Sequence, residues 1–158
     1  MLSTIVLRPI TAQDFPFLLN VYASTRPDVL GLPWDDLQKS AFLSMQFRAQ
    51  HQHYQTHFPA AEYSVIQNAQ NAIGRLYIDR RPNDIHILDI TLLPEHRGSG
   101  IGAALLQKLQ DEGTGSRKSV SLFVEHENVA RNLYSRLGFV PGEVEGVYQL
   151  MKWTPPAT

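Results

Sequence analysis

Along the chain the apolar residues switch from one periodicity to another, and each switch marks an element. Ser3 to Arg8 alternates weakly and is rich in β-branched residues, which predicts a first strand. Thr11, with Asp14 three residues on, makes a capping-box-like start for a helix running to about Ser24. Arg26-Pro27 and Gly31-Leu32-Pro33 break the chain. Asp35 or Asp36 then caps a longer helix reaching about His57 before Pro59 stops it. The period then drops to two. Tyr63 to Ile66, a turn over Asn68 to Asn71, and Ala72 to Ile78 read as a hairpin, with a second turn over Arg80 to Asp84. Ile85 to Leu93 is apolar at both parities, as a central strand covered on both faces requires, and Pro94 ends it.

The C-terminal third returns to helical spacing. Ile101, Leu105, Leu106 and Leu109 predict a helix from Gly100 to Glu112, with Gly113 and Gly115 as its terminators. Ser119 to Val124 predicts a strand, Asn128 to Leu137 a helix closed by Gly138, and Gly146 to Trp153 a last strand. In the second of these helices Val129, Leu133 and Leu137 form one apolar stripe. Ala130 and Tyr134 share its edge, and Asn128 is a good N-cap. The order is strand-rich in the middle and βαβαβ at the end, an α/β fold on a mixed sheet. Without internal repeats, residues 1–153 read as a single domain and residues 154–158 as a frayed tail.

Composition narrows the function classes. At 158 residues the chain has room for one core, and 43% apolar with 18% charged residues is the balance of an ordinary globular domain. A formal charge of −1 gives no general pull toward nucleic acid. No apolar run is long enough to span a bilayer, and the first residues lack a basic segment followed by a long apolar one, so no membrane partner and a cytoplasmic location are expected. The absence of cysteine excludes disulfides, thiolate zinc sites and cysteine nucleophiles. His51, His53 and His57 lie close together on a predicted helix, but no ligand set is completed nearby. They read as a solvated polar face, and no metal is expected. Trp34, Phe42, Phe47, Tyr54 and Phe58 read as packing aromatics in preference to the alternative, a substrate box.

The segment richest in candidate chemistry is Pro94-Glu95-His96-Arg97-Gly98-Ser99-Gly100-Ile101-Gly102-Ala103, between the central strand and a helix. Glycines let backbone approach a ligand, and free amides at a helix N-terminus favour phosphate, so a pyrophosphate-bearing cofactor is the natural guest. Gly98-x-Gly100-x-x-Ala103 also fits the dinucleotide fingerprint, with Glu125 placed as the ribose acid. Nearly a hundred residues precede the turn, however, and two βαβαβ halves do not fit in the residues after it. A triphosphatase loop would need Gly-Lys-Ser/Thr, which is absent.

The turn Arg97-x-x-Gly100-x-Gly102-Ala103, led in by Leu92-Leu93-Pro94-Glu95-His96, resembles the acetyl-CoA signature of the GNAT superfamily of N-acetyltransferases. About thirty residues later, Asn128-Val129-Ala130-Arg131-Asn132-Leu133-Tyr134-Ser135-Arg136-Leu137-Gly138-Phe139 resembles the same family's Asn-x-Ala-x-x-Leu-Tyr-x-x-Leu-Gly-Phe helix, and Leu7 to Asp14 is similar to its opening. The resemblance implies a splayed, mostly antiparallel sheet flanked by about four helices, with acetyl-CoA as cosubstrate. It implies that Arg97, Gly98, Ser99, Gly100, Ile101, Gly102 and Ala103 hold the pyrophosphate, and that Ile90, Thr91 and Leu92 pair with pantetheine. Asn128 and Ala130 would lie near the arm, with Tyr134 as the acid for the departing thiolate.

The expected reaction is acetyl transfer to a primary amine, of a small molecule or a protein. With no cysteine to carry an acyl group, the amine attacks the thioester directly in a ternary complex. A base must first deprotonate it, since an alkyl amine has a pKa of ~10.4. His86 and Asp89 on the central strand are the leading candidates, Glu125 and His126 lie nearby, and a water relay is the remaining route. His86 stands roughly where many relatives carry a glutamate. Strand parity puts His86 and Asp89 on opposite faces unless a bulge intervenes. The alternative is a GNAT-like module that binds acyl-CoA without turnover, as a sensor or assembly part. Homodimers are common among such proteins, though no residue here specifies one.

Overall fold

The computed structural model describes residues 4–157. In chain order the elements are β1 (Ile5–Pro9), α1 (Phe15–Ala23), α2 (Pro27–Leu30), α3 (Asp36–His57), β2 (Glu62–Asn68), β3 (Asn71–Arg80), β4 (Asp84–Leu92), α4 (Ile101–Ser116), β5 (Ser119–Glu125), α5 (Ala130–Arg136), β6 (Val140–Glu145) and β7 (Tyr148–Trp153). The expected strand start at Ser3 and the last tail residue, Thr158, lie outside the described residues; residues 154–157 form no regular element. The strands make one sheet in the order β1-β2-β3-β4-β5-β7-β6. Every neighbouring pair is antiparallel except β4 with β5.

Helix starts follow the local chemistry. The Thr11 N–H donates to Asp14 Oδ2 at 2.7 Å, and Arg8 grips the same carboxylate, which turns the chain through a short 3-10 segment into α1. Asp35 Oδ1 accepts from the Gln38 N–H at 2.7 Å while Gln38 reaches back to the Asp35 N–H, a reciprocal cap for α3. On one face of the sheet Ile66, Leu76, Ile78, Ile87 and Leu122 pack against Leu105 and Leu109 of α4 and Tyr134 of α5. On the other, Val65 packs against Leu18 and Tyr22 of α1 and Leu43 and Phe47 of α3. Among the described residues no helix is long and apolar enough to cross a membrane.

Four expectations are corrected. First, α4 runs through Gly113 and Gly115 to Ser116, and Arg117 ends it at φ 59°. Gly113 serves close packing instead: a Cβ there would lie 2.6 Å from the Lys118 carbonyl oxygen and 3.0 Å from the Trp153 ring. Second, β6 is an additional strand, so the chain ends βαβαββ rather than βαβαβ. All its residues are exposed, and its pairing shifts between Pro141 and Val144, which leaves no apolar alternation to read. Third, α2 is a one-turn helix with Pro27 at its start, where only a break was expected, and it brings the α-helices around the sheet to five. Fourth, Val129 is 82% exposed and precedes α5. Asn128 Oδ1 accepts from the Ala130 N–H at 2.9 Å, which starts the helix at Ala130 and leaves Leu133 and Leu137 as the apolar stripe.

Candidate active site

The sheet opens at its centre. β4 and β5 pair only from Asp84↔Ser119 to Ile87↔Leu122, and beyond that the two strands part. A cavity of about 230 Å³ occupies the gap, lined by Ile87 to Ile90 on one side and Leu122 to Glu125 on the other, with Gln50, Tyr54, Asn128, Tyr134 and Tyr148 around it. The β4 side of the gap is shaped by a bulge. Ile78 pairs with Ile87 but Tyr77 pairs with Asp89, so Leu88 is the extra residue. That one residue reverses parity, and His86 and Asp89 share a face, opposite that of Ile87 and Ile90.

Tyr134 comes from the α4 and α5 side. Its ring is buried beside Phe139 at a centroid distance of 5.9 Å, while the residue also lines the cavity. Burial, with Asp89 adding, pushes the phenol up to about 12. It is therefore protonated at neutral pH and a donor. Asn128 and Ile90 line the same cavity; Ala130, Thr91 and Leu92 are not among its lining residues.

Asp89 lines the cavity but is held. The Arg75 Nη2 donates to Asp89 Oδ2 at 2.6 Å, and the Thr91 hydroxyl donates to Asp89 Oδ1 at 2.5 Å. Arg75 is 1% exposed, also donates to Gln50 Oε1 at 3.0 Å, and lies 5.0 Å from the centre of the Tyr77 ring. Burial disfavours the guanidinium charge, yet the Asp89 carboxylate keeps it protonated. Tyr54 sits over the bulge, its hydroxyl 3.4 Å from the Leu88 carbonyl oxygen.

His86 is not brought to the cavity wall. It is 5% exposed and packs edge-on against Phe123. Ser121 Oγ donates to Asp84 Oδ2 at 2.5 Å, so the 2.8 Å contact between His86 Nδ1 and Ser121 Oγ has the imidazole donating. Burial, with Arg81, lowers its pKa.

The glycine turn lies at the head of α4. Gly98 and Gly100 adopt φ of 75° and 87°, where side chains are strained, and a Cβ at Gly98, Gly100 or Gly102 would meet nothing within 4 Å. The first helical bond runs from the Ala104 N–H to the Gly100 carbonyl, so the amides of Ile101, Gly102 and Ala103 have no acceptor within the helix. Open space and free amides suit a diphosphate. Arg97 Nε donates to the Leu92 carbonyl at 2.9 Å, and Ser99 Oγ donates to the His96 carbonyl at 3.0 Å, bracing the turn.

Sequence reasoning missed Arg75, Gln50 and Tyr148, and read Tyr54 as packing although it lines the cavity. Arg75 carried a signal: a lone cation inside the apolar run Ile73 to Ile78 has to be buried or at an edge. Among the described residues no three His, Cys, Asp or Glu side chains converge as metal ligands; the His53 and His57 rings lie 4.1 Å apart, tilted by 30°.

The profile of the acetyltransferase (GNAT) family matches residues 26–139. The fold is similar to PaiA N-acetyltransferase from Thermoplasma acidophilum in complex with coenzyme A, with a TM-score of 0.70 and 17% identity over 95% of this chain and 98% of that one. It is also similar to an acetyltransferase from Thermus thermophilus, with a TM-score of 0.69 and 17% identity over 96% and 97% of the two chains. Spermidine N-acetyltransferase from Vibrio cholerae, in complex with CoA and spermine, aligns with a TM-score of 0.64 and 21% identity over 96% of each chain. No curated protein matches by sequence.

Proposed function

The chain belongs to the acetyltransferase (GNAT) family, and from that premise we propose that it transfers the acetyl group of acetyl-CoA to a primary amine by direct attack in a ternary complex. The observation that carries the reading is the parted β4–β5 pair, with the Tyr134 phenol and the unpaired flank of β4 meeting at one cavity. The amides from Gly98 to Ala103 would hold the pyrophosphate, with Arg97 and Ser99 bracing them. The Ile90 to Leu92 backbone would pair with the pantetheine arm as an added strand. Acetyl-CoA supplies a thioester: the amine nitrogen attacks its carbonyl carbon, the C–N bond forms and the C–S bond breaks.

Tyr134 then gives its proton to the departing sulfur. Its raised pKa keeps that proton available at neutral pH. The ammonium proton leaves earlier. Asp89 is engaged by Arg75 and Thr91, and His86 stands outside the cavity, so a chain of water through the cavity is the route we favour. The engagement of Asp89 by Arg75 and Thr91, with His86 outside the cavity, also supports a second reading, a module that binds acyl-CoA without turnover.

Release of free CoA thiol from acetyl-CoA over a panel of amines separates the two. Turnover with intersecting initial-rate lines for amine and acetyl-CoA is expected. Parallel lines would contradict direct attack, and thermal stabilisation by CoA with no release on any amine would favour the silent module.

A further inference from the structure

Beyond the transfer itself, we infer that the acceptor carries a second cationic group and that Glu125 selects for it, so that the preferred substrate is a diamine or a similar dication. The inference rests on the acetyltransferase reading of the same cavity. Asp89 and Glu125 are the charged side chains lining it. The charge of Asp89 is already matched by Arg75, whose side chain is 2% exposed and out of reach of a ligand. Glu125 is exposed and has no ion-pair partner among the described residues. Its cross-strand partner is Tyr148, and alternation along β5 puts Phe123 on the same face, so one free carboxylate stands between two aromatic rings at the lining. That combination suits an alkyl ammonium, which gains from the carboxylate and from ring faces alike.

The reacting nitrogen cannot be the partner of Glu125 at the moment of reaction, because it must be neutral to attack. The carboxylate therefore calls for a second ammonium on the same molecule. An acceptor bearing a carboxylate is opposed: it would face Glu125 and Asp89 with no free lysine or arginine among the lining residues to receive it.

A matched series isolates this charge: α,ω-diaminopentane, pentylamine and ω-aminopentanoate share one chain and differ in the far end. Calorimetric Kd values on the CoA-bound protein, and kcat and KM with acetyl-CoA, are measured for the native chain, Glu125→Gln, and Asp111→Asn on the exposed face of α4 as control. The diamine is expected to bind about tenfold more tightly than pentylamine, with ω-aminopentanoate weakest. Glu125→Gln should bring the diamine to the level of pentylamine through KM, leaving kcat and its pH profile unchanged, and Asp111→Asn should alter nothing. Equal discrimination in Glu125→Gln, or ω-aminopentanoate binding as tightly as the diamine, would overturn the inference. So would a loss of kcat on pentylamine, which would make Glu125 a base. Calorimetry needs no turnover, so a protein that binds CoA but transfers nothing would end the proposed function while the binding order still decides the role of Glu125.

Discussion

The two sides of the β4–β5 opening are built from different materials. The side facing α4 and α5 is made of backbone: three glycines, two of them at positive φ, and amides that the helix leaves free. The side facing α3 is made of side chains brought from four separate elements, Gln50 and Tyr54 from α3, Arg75 and Tyr77 from β3, Asp89 from β4, and Glu125 from β5. A backbone site needs only a local turn and tolerates variation elsewhere. A side-chain site depends on registers across the sheet, and a single bulged residue, Leu88, decides what faces it.

The contrast can be broken from either side. The largest effect is expected on the side-chain wall. Arg75→Met leaves the Asp89 carboxylate without its cation and should cost about 3–5 kcal/mol in denaturant unfolding, most of it regained in Arg75→Met with Asp89→Leu. CoA affinity, which the proposed function assigns to the other side, should move by less than about threefold. A cost below about 1 kcal/mol would mean that the ion pair does not hold this wall. On the backbone side, Gly100→Val forces a β-branched residue to φ 87° and places its side chain in the open cradle. Affinity for CoA should fall about 10²-fold or more by calorimetry, equivalent to ~2.7 kcal/mol, with a smaller loss of fold stability of about 1–2 kcal/mol. Unchanged CoA affinity would remove the turn from the cofactor site.

The same difference explains what the sequence disclosed. The glycine turn, the Asn128 cap and the Asp35 cap are local patterns, and each stands where the chain alone places it. The hairpin over β2 and β3 and the apolar run of β4 were equally plain, because burial on one or two faces writes itself as period. Arg75 was hidden because one strand does not reveal which partner will meet its charge. The shared face of His86 and Asp89 required a bulge that only pairing with β3 defines. Strand β6 lacked the apolar period because it borders the sheet and buries nothing. Conversely, Gly113 looked like a helix stop because propensity treats every glycine alike, whereas contact with Lys118 and Trp153 gives this one its reason.

Tyr134 joins the two sides, rooted in the α4–α5 core and opening on the cavity that Asp89 and Tyr54 share. The most direct measurement is therefore single-turnover acetyl transfer by Tyr134→Phe across a pH range. The account predicts a rate about 10²-fold below the native chain, with acetyl-CoA affinity within about threefold because only one hydroxyl is lost. The native rate should show no alkaline limb from this phenol through pH ~10, where an ordinary tyrosine would already ionise, because its proton is held to about 12. A native rate in Tyr134→Phe, with the pH profile unchanged, would contradict it.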